Sequence, residues 1–150
     1  MTVSNKRAAE ILHRHGVHAA TDVTGFGLLG HLVEMVRASD VDVTLQLPDI
    51  PLLDGARETI AAGVFSSLQP QNVRLRRAIR NLDQASADAA FPLLFDPQTA
   101  GGLLASVPAE RAAECVAQLR AEGYGNAAVI GSVAARSEAL EPITIALSSL

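Results

Sequence analysis

The spacing of apolar residues predicts two well-defined helices early in the chain. Apolar residues recur every three or four positions over residues 6–15, with Ser4 or Asn5 as the cap and Gly16 as the end of the helix. The same spacing returns over residues 28–39 and predicts a longer and more apolar helix. Each of these helices therefore has one face that belongs in a core.

A period of two residues, which is typical of strands, is clearest over residues 41–47. Val and Leu alternate there with Asp42, Thr44 and Gln46, so this strand is expected to have one buried face and one wet face. Further strands are predicted over residues 17–20, 92–96, 103–107, 129–133 and 143–147, and further helices over residues 55–63, 73–82 and 109–122. Strands and helices in this mixed order predict an α+β fold.

The composition predicts a single domain with a core made mostly of Leu, Val, Ile and Ala. The chain has 150 residues, aromatic residues make up only 3% of them, and Trp is absent. A net charge of −4 offers no basic surface for nucleic acid, and no apolar run approaches the roughly 20 residues of a membrane span. The N-terminus lacks the apolar segment of a signal peptide, so the cytoplasm is the expected compartment.

The segment TDVTGFG, residues 21–27, carries the clearest candidate chemistry. It places a carboxylate, two hydroxyls and two glycines where a short strand meets a helix, and backbone N–H groups at such a junction can hold a phosphate. Because a carboxylate repels a phosphate unless a divalent cation lies between them, Asp22 indicates a Mg²⁺ ligand. Gly25 and Gly27 would let the backbone approach the ligand closely. The alternative is that Asp22 or Thr24 caps the helix and the glycines relieve crowding.

A second motif, FDPQTAGGLL over residues 95–104, has the composition of a turn. Asp96 and Pro97 would start the turn, and Gly101 and Gly102 would let the chain pass tightly into the next strand. Taken alone, this motif predicts a structural element and no chemistry.

The two motifs together, in this order and at this separation, resemble those of selenophosphate synthetase, also called selenide, water dikinase. The strings that carry the resemblance are ATDVTGFGLLGHL, LPDIPLLDGA, GVFSSLQPQN, LLFDPQTAGGLLASVP and AAVIGSV. They cover nearly the whole chain, which is similar to the C-terminal half of that enzyme. The related AIR synthase, thiamine-monophosphate kinase and hydrogenase-maturation families share the domain but not this pair of motifs.

The resemblance implies a fold, a reaction and a set of site residues. The implied fold is the PurM C-terminal-like α/β/α layered sandwich with a mixed sheet, and the parent enzyme converts ATP, selenide and water to selenophosphate, AMP and phosphate. Asp22 matches the Asp that, in this family, joins acidic residues of the N-terminal domain in holding Mg²⁺ at the ATP phosphates. The rest of the loop, which the resemblance places near the phosphates, is matched by Thr24, Gly25, Phe26 and Gly27.

The resemblance also implies that part of the enzyme lies elsewhere. The nucleophilic Cys or selenocysteine, its nearby Lys and the other metal-binding acids of the family belong to an N-terminal domain. The chain alone is therefore expected to be inactive, to meet ATP and selenide only through that domain, and to form a homodimer in the full-length enzyme. Ala100 stands where the family's usual string, DPQTSGG, has Ser, and this departure weakens a catalytic role for the second motif.

The wider architecture of the polypeptide is a further expectation. The start MTVSNK resembles the family's interdomain junction, which indicates a piece of a longer chain. The strings PQN and LEPIT resemble a branch fused behind a flavin-dependent NADH dehydrogenase-like domain, although no FAD is expected to bind here. Two alternatives stay open: a non-catalytic interdomain or dimerisation module, and a domain of another ATP-dependent member of the superfamily.

The remaining candidate side chains favour structural roles. Cys115 lies among apolar residues at helical spacing and is predicted to be an inert core thiol, not a nucleophile. The spacing of His13, His15 and His18 does not suit a metal ion, so surface or capping positions are expected. His31 is predicted to be a partly buried structural histidine, with a position facing the TDVTGFG site as the alternative.

One dense basic cluster is made by Arg74, Arg76, Arg77 and Arg80. Apolar residues between these arginines predict the buried side of the helix over residues 73–82, so the arginines are expected to form its solvated face. The alternative is a docking surface for an acidic partner or for the missing domain.

Overall fold

The computed structural model describes residues 4–148, in which helices and strands are arranged around two separate sheets. In chain order the elements are α1 (Asn5–Arg14), β1 (Ala19–Asp22), α2 (Gly27–Ser39), β2 (Val41–Gln46), α3 (Ala56–Ala61), α4 (Gln69–Asn72), α5 (Leu82–Ala85), β3 (Leu103–Ser106), α6 (Ala109–Ala121), β4 (Gly131–Ala135) and β5 (Ile143–Ala146). Short 3₁₀ helices occupy Leu47–Asp49, Val73–Ala78 and Phe91–Phe95. The predicted α+β class is confirmed. The first three residues of the MTVSNK start lie outside the described residues.

The smaller sheet consists of β1 and β3, which run antiparallel. Helix α1 packs against β3 and α6, and Ile11, Leu12 and Cys115 form a buried apolar cluster between these elements. The side chain of Ser4 caps α1 by accepting a hydrogen bond from the N–H of Lys6 at 3.2 Å, as predicted. This cluster fixes the position of β1, and therefore the position of the loop that follows it.

The larger sheet has β2 at its centre, antiparallel to β4 and parallel to β5. Val43 pairs with Val133 on one side and with Ile143 on the other. Leu45, Ile143 and Ile145 are almost fully buried and join the apolar face of α2 in the main core. Helix α2 therefore contacts both sheets, through β1 and β2.

The face of β2 that was predicted to be wet is in fact largely buried. Asp42 is only 9% exposed and Gln46 only 8%. Two arginines extend over Asp42: Nη2 of Arg80 lies 2.9 Å from Oδ2, and Arg136 pairs with Oδ1. Hydrogen bonds from the Ser137 hydroxyl, Arg80 and Arg136 hold the pKa of Asp42 well below its usual range. A period of two residues shows which side chains share a face, but not that long arginine side chains will cover that face.

Asp42→Asn is expected to lower the midpoint of thermal unfolding at pH 7 by about 5 °C, because Asn keeps the shape but loses the charge that both arginines face. Since the folded-state pKa is depressed, the charged form stabilises the fold above the unfolded-state pKa of about 3.9, and this contribution is lost as the pH falls further. The difference between wild type and variant should therefore shrink below about pH 4. The difference in unfolding midpoint is measured by thermal unfolding of both proteins, followed by circular dichroism at pH 7, 4 and 2.5.

The exposed Asp40 provides the matched control for that experiment. Its carboxylate lies 3.9 Å from Nε of Arg136 in an exposed ion pair, which contributes little to stability. Its left-handed backbone (φ 50°) is one that Asn also adopts readily, so Asp40→Asn should leave the unfolding midpoint nearly unchanged. A difference between wild type and Asp42→Asn that stays constant from pH 7 to pH 2.5 would contradict the charge-based explanation.

Two predicted elements have a different conformation in the structure. The helix expected over residues 73–82 is a 3₁₀ helix followed by an extended residue, Ile79 (φ −94°, ψ 122°), which forms a bridge with Ile143 at the edge of β5. The strand expected over residues 92–96 is also a 3₁₀ helix, and its buried residues Phe91, Leu94 and Phe95 have helical spacing. A short apolar run such as residues 92–96 fits either a strand or a buried turn of helix. The extended conformation of Ile79 is set by its pairing with Ile143, which is distant in the sequence.

The other predicted elements are present with shifted ends. The strand expected over residues 17–20 is found at Ala19–Asp22, because the N–H of Val17 still bonds to the last turn of α1, at Leu12 O. The strand expected over residues 129–133 is found at Gly131–Ala135. Shifts of about two residues at the ends of elements are common, because pairing partners and not local sequence set those ends.

Candidate functional site

The two glycine-containing motifs lie side by side. The pairing of Asp22 with Leu103 at the ends of β1 and β3 brings the segment after β1 next to the segment before β3. Three backbone hydrogen bonds then join them: Gln98 N to Thr24 O (3.0 Å), Gly101 N to Val23 O (3.2 Å) and Val23 N to Gly102 O (3.0 Å). We refer to residues 22–27 and 96–102 together as the loop pair.

The glycines of the loop pair divide into two kinds. A Cβ atom on Gly101 would lie 2.2 Å from the carbonyl oxygen of Val23, and one on Gly27, where φ is +70°, would lie 2.8 Å from the carbonyl carbon of Phe95. These two glycines therefore allow segments to pack closely, as the crowding alternative expects for Gly27 and the turn prediction expects for Gly101. By contrast, a Cβ atom on Gly25 or Gly102 would meet nothing within 4 Å. Backbone at these two positions is open to a ligand.

Asp22 is exposed at the start of the loop pair. Among the described residues its carboxylate has no hydrogen-bond or ion-pair partner. The residue that caps α2 is Phe26, with no side-chain cap hydrogen bond, so the interpretation of Asp22 or Thr24 as the helix cap is wrong. An unpaired carboxylate is free to bind a cation.

A magnesium ion fits this donor set only if other ligands join it. Within residues 4–148, no group of three or more His, Cys, Asp or Glu side chains is arranged to hold a metal ion. Mg²⁺ is usually held by one or two carboxylates together with water and substrate phosphates, so Asp22 is a suitable single ligand but does not make a complete site.

Thr24 is fastened to His31 on the first turns of α2. Both the N–H of Thr24 (3.0 Å) and its hydroxyl (3.1 Å) contact Nε2 of His31, which is only 7% exposed. Nε2 therefore acts as the acceptor for the backbone N–H of Thr24. His31 is therefore buried and structural, as predicted, and it also faces the loop. The N–H of Thr24 is used in this contact and is not available to a phosphate.

Phe26 lies on the outside of the loop pair. Its side chain is 54% exposed, and its ring is tilted against the ring of His31 at a centroid distance of 5.7 Å. Of the loop residues predicted to lie near a phosphate, Gly25 and Phe26 are exposed, Thr24 is half-buried and Gly27 is buried. The open part of the loop therefore consists of Asp22, Gly25 and Phe26.

Asn72 holds the loop pair in place, and no motif or periodicity in the sequence predicts this role. This side chain is 5% exposed, and its Nδ2 atom donates to the carbonyl oxygens of Gly25 (2.8 Å) and Phe95 (3.0 Å). It therefore connects Gly25 to Phe95, the first residue of the second motif. The residues before Asn72 have no clear periodicity. An asparagine in such a segment does not indicate which residues its side chain will contact. Asn5 contributes a further contact, from Nδ2 to Gly101 O at 3.1 Å.

The second motif is held mainly by contacts within the loop pair. The Nε2 atom of Gln98 lies 3.2 Å from Oδ2 of Asp96, and both residues are half-buried. Ala100 is exposed, so the missing Ser hydroxyl of the family's usual string would face solvent.

Two other candidate side chains lie away from the loop pair. Cys115 is 2% exposed, and burial raises the pKa of its thiol, which confirms the predicted inert core cysteine. His15 has the capping position that was one of its two expected roles, because it is the C-cap residue of α1. It is not a surface residue: it is 7% exposed, and its Nε2 atom lies 2.8 Å from Oε1 of Gln118. Packing of α1 against α6, which the sequence did not reveal, buries it.

Comparison with known proteins identifies the family. Residues 2–141 match the family model described as "AIR synthase related protein, C-terminal domain". The chain belongs to this family.

Its curated relatives are named selenide, water dikinase. The chain is 39% identical over 132 residues to the protein of that name from Paraburkholderia xenovorans (strain LB400). The matched region covers 88% of this chain and 37% of that protein. It is 40% identical over 145 residues to the one from Pelobacter propionicus, covering 97% of this chain and 41% of that protein. The resemblance found in the motifs is confirmed. The chain spans about two fifths of the length of these relatives.

Solved structures with the same fold include two of a hydrogenase maturation protein. One, titled "Crystal Structure of Hydrogenase Maturation Protein HypE", has a TM-score of 0.67 and 23% identity, and covers 96% of this chain and 39% of that one. The other is described as HypE in complex with ATP, with a TM-score of 0.64, 22% identity, and coverage of 96% and 37%. These likenesses confirm the PurM-like fold expected from the resemblance. Within residues 4–148, no helix combines the length and apolar character needed to cross a bilayer.

Proposed function

We propose that this chain is the C-terminal domain of a selenide, water dikinase, an enzyme that makes selenophosphate from ATP, selenide and water. The observation that carries the proposal is the unpaired, exposed carboxylate of Asp22 beside the open backbone at Gly25 and Gly102. Identity of 39–40% with relatives of that name, over most of this chain, supports the choice of reaction.

In this proposal Asp22 is one ligand of a Mg²⁺ ion at the ATP phosphates. When bound, such an ion would supply charge neutralisation at the phosphoryl group. Asp22 binds and orients it, while Gly25 and Phe26 line the phosphates on their exposed side. Thr24 and Gly27 act indirectly, because their contacts with His31 and Phe95 set the shape of the loop.

The remaining parts of the enzyme are supplied by an N-terminal domain. One carboxylate cannot complete a Mg²⁺ site, so that domain supplies the other metal-binding acids and the nucleophile. In this proposal the chain alone folds but does not catalyse the formation of selenophosphate. The full-length enzyme is a cytoplasmic homodimer in this proposal.

The experiment that tests the proposal is a titration of Mg²⁺ and ATP into the chain, followed by NMR. The amide signals of Gly25 and Phe26 are expected to shift when Mg²⁺ is added to the wild-type chain with ATP already present, and this Mg²⁺-dependent shift is expected to be absent in Asp22→Asn. Asp54→Asn, which changes an exposed carboxylate outside the loop pair, is the matched control and should behave as wild type. Shifts of equal size in Asp22→Asn would contradict a metal-binding role for Asp22.

If the wild-type signals do not shift, the site is not preformed in this chain. The same substitution in the full-length enzyme then decides the matter. Loss of ATP consumption with an unchanged unfolding midpoint would support the proposal, whereas full activity would reject it.

A further inference from the structure

A groove with three arginines runs beside α2. It has a volume of about 370 Å³, and it lies between one side of α2 and the segment that follows α4. The side chains that matter here are Arg37 and Glu34 on α2, Arg74 and Arg77 on the 3₁₀ helix Val73–Ala78, and Phe26 and Leu75 as apolar walls. We refer to this feature as the arginine groove. Arg74, Arg76, Arg77 and Arg80 are all exposed, as predicted, although Arg80 also pairs with Asp42 and does not line the groove.

The guanidinium groups of the arginine groove lack partners. Among the described residues, Arg37, Arg74 and Arg77 make no hydrogen bond or ion pair, whereas Arg7, Arg80 and Arg136 all pair with carboxylates. The chain has 16 acidic residues against 12 basic ones, so unpaired arginines are not explained by a shortage of acids. Glu34 is the one carboxylate that lines the arginine groove. The groove is therefore a site of net positive charge on a negatively charged protein.

The walls of the arginine groove are fixed by close packing. A Cβ atom on Gly30 would lie 2.5 Å from Cβ of Phe26 and 3.2 Å from Cδ1 of Leu75, so the glycine lets both apolar side chains pack onto α2. Asn72, which immediately precedes the arginine segment, is held by its two hydrogen bonds to Gly25 and Phe95. The backbone that carries the arginines is therefore held in place before any ligand arrives.

We propose that the arginine groove binds a small molecule that carries two or more linked phosphate groups, without a metal ion. The guanidinium fork matches two oxygens of a phosphate, and three forks around one groove suit a chain of phosphates better than a single one. Phe26 and Leu75 offer apolar surface to an organic part of the ligand. The volume falls within the range of about 300–1,000 Å³ that is usual for small-molecule sites. The proposal does not depend on Asp22 or on the proposed reaction.

The test is a calorimetric titration of inorganic tripolyphosphate into the chain in buffer with EDTA. Arg37→Gln, Arg74→Gln and Arg77→Gln are each expected to weaken binding about tenfold. Arg76→Gln is the matched control, because Arg76 lies on the same 3₁₀ helix but does not line the groove, and it should change the dissociation constant less than about twofold.

Two further variants test the geometry and the sign of the charge. Arg74→Lys keeps the charge but loses the fork, so binding should weaken about threefold. Glu34→Gln removes the one carboxylate that lines the groove and should tighten binding about threefold at low salt. Unfolding midpoints close to that of wild type would show that every variant is folded.

Several results would overturn the proposal. Equal weakening by Arg76→Gln and Arg74→Gln would show a general charge effect, and no measurable binding at about 10 mM tripolyphosphate would show that the groove is not a phosphate site. Tighter binding of a polyglutamate peptide than of tripolyphosphate would make the groove a protein-docking surface instead. Asp22→Asn should leave this metal-free binding unchanged, so failure here is distinct from failure of the proposed magnesium site.

Discussion

Gly101→Ala is expected to destabilise the protein by about 3 kcal/mol or more, which lowers the unfolding midpoint by roughly 10 °C. The added methyl group would lie 2.2 Å from the carbonyl oxygen of Val23, and that atom is backbone, which cannot rotate away. The loops must separate to make room. This separation would break the hydrogen bonds from Gly101 N to Val23 O and from Val23 N to Gly102 O.

The neighbouring Gly102→Ala variant is the matched control for Gly101→Ala. A methyl group there would meet nothing within 4 Å, so the expected change is less than about 1 kcal/mol. Urea unfolding of both variants followed by circular dichroism provides the comparison. Similar stability of the two variants would show that the two motifs are not packed against each other as described.

Asn72→Ala is expected to destabilise the protein by about 3 kcal/mol. Both hydrogens of its Nδ2 atom are used, and removing the amide leaves the carbonyl oxygens of Gly25 and Phe95 without this donor. Because Phe95 is 1% exposed, water cannot easily replace the lost bond there. The loss should also loosen the loop around Gly25, which hydrogen exchange of the loop amides would reveal as faster exchange.

Gln71→Ala changes the exposed neighbour of Asn72 and should cost less than about 0.5 kcal/mol. Asn72→Asp provides a second test, because it keeps the size of the side chain but turns an acceptor toward two carbonyl oxygens. This variant should be at least as unstable as Asn72→Ala at pH 7. If Asn72→Asp were as stable as wild type, the two hydrogen bonds could not be the source of the stability.

The long helices of this fold could be predicted because their signals are local. The apolar stripe of α2 and the Ser4 cap of α1 involve residues only a few positions apart. The misassigned segments depend on distant partners. Ile79 is extended because it meets Ile143, and Asp42 is buried because Arg80 and Arg136 extend over it. Nothing in the sequence near Ile79 or Asp42 contains this information.

The candidate site shows the same division. Its motif, with Asp22 as the proposed metal ligand, could be found from the sequence because residue types and spacing carry the resemblance. The side chains that hold the motif could not be found in the same way. His31 was recognised as structural, but its bond to Thr24 was not predicted, and Asn72 lies 47 positions after the carbonyl of Gly25 that it contacts. Whether Asp22 binds a metal stays a prediction.

The parallel pairing of β2 with β5 has a consequence for how the chain folds during synthesis. Val43 leaves the ribosome about 100 residues before its partner Ile143. Both edges of this central strand stay open for most of that interval, because β4 (Gly131–Ala135) is also made late, and Leu45 lacks its buried neighbours on β5. Closing so long a loop is slow, and an exposed strand edge invites pairing with other chains. The nascent protein therefore passes through a long interval in which it is prone to aggregate, and its last strand ends that interval.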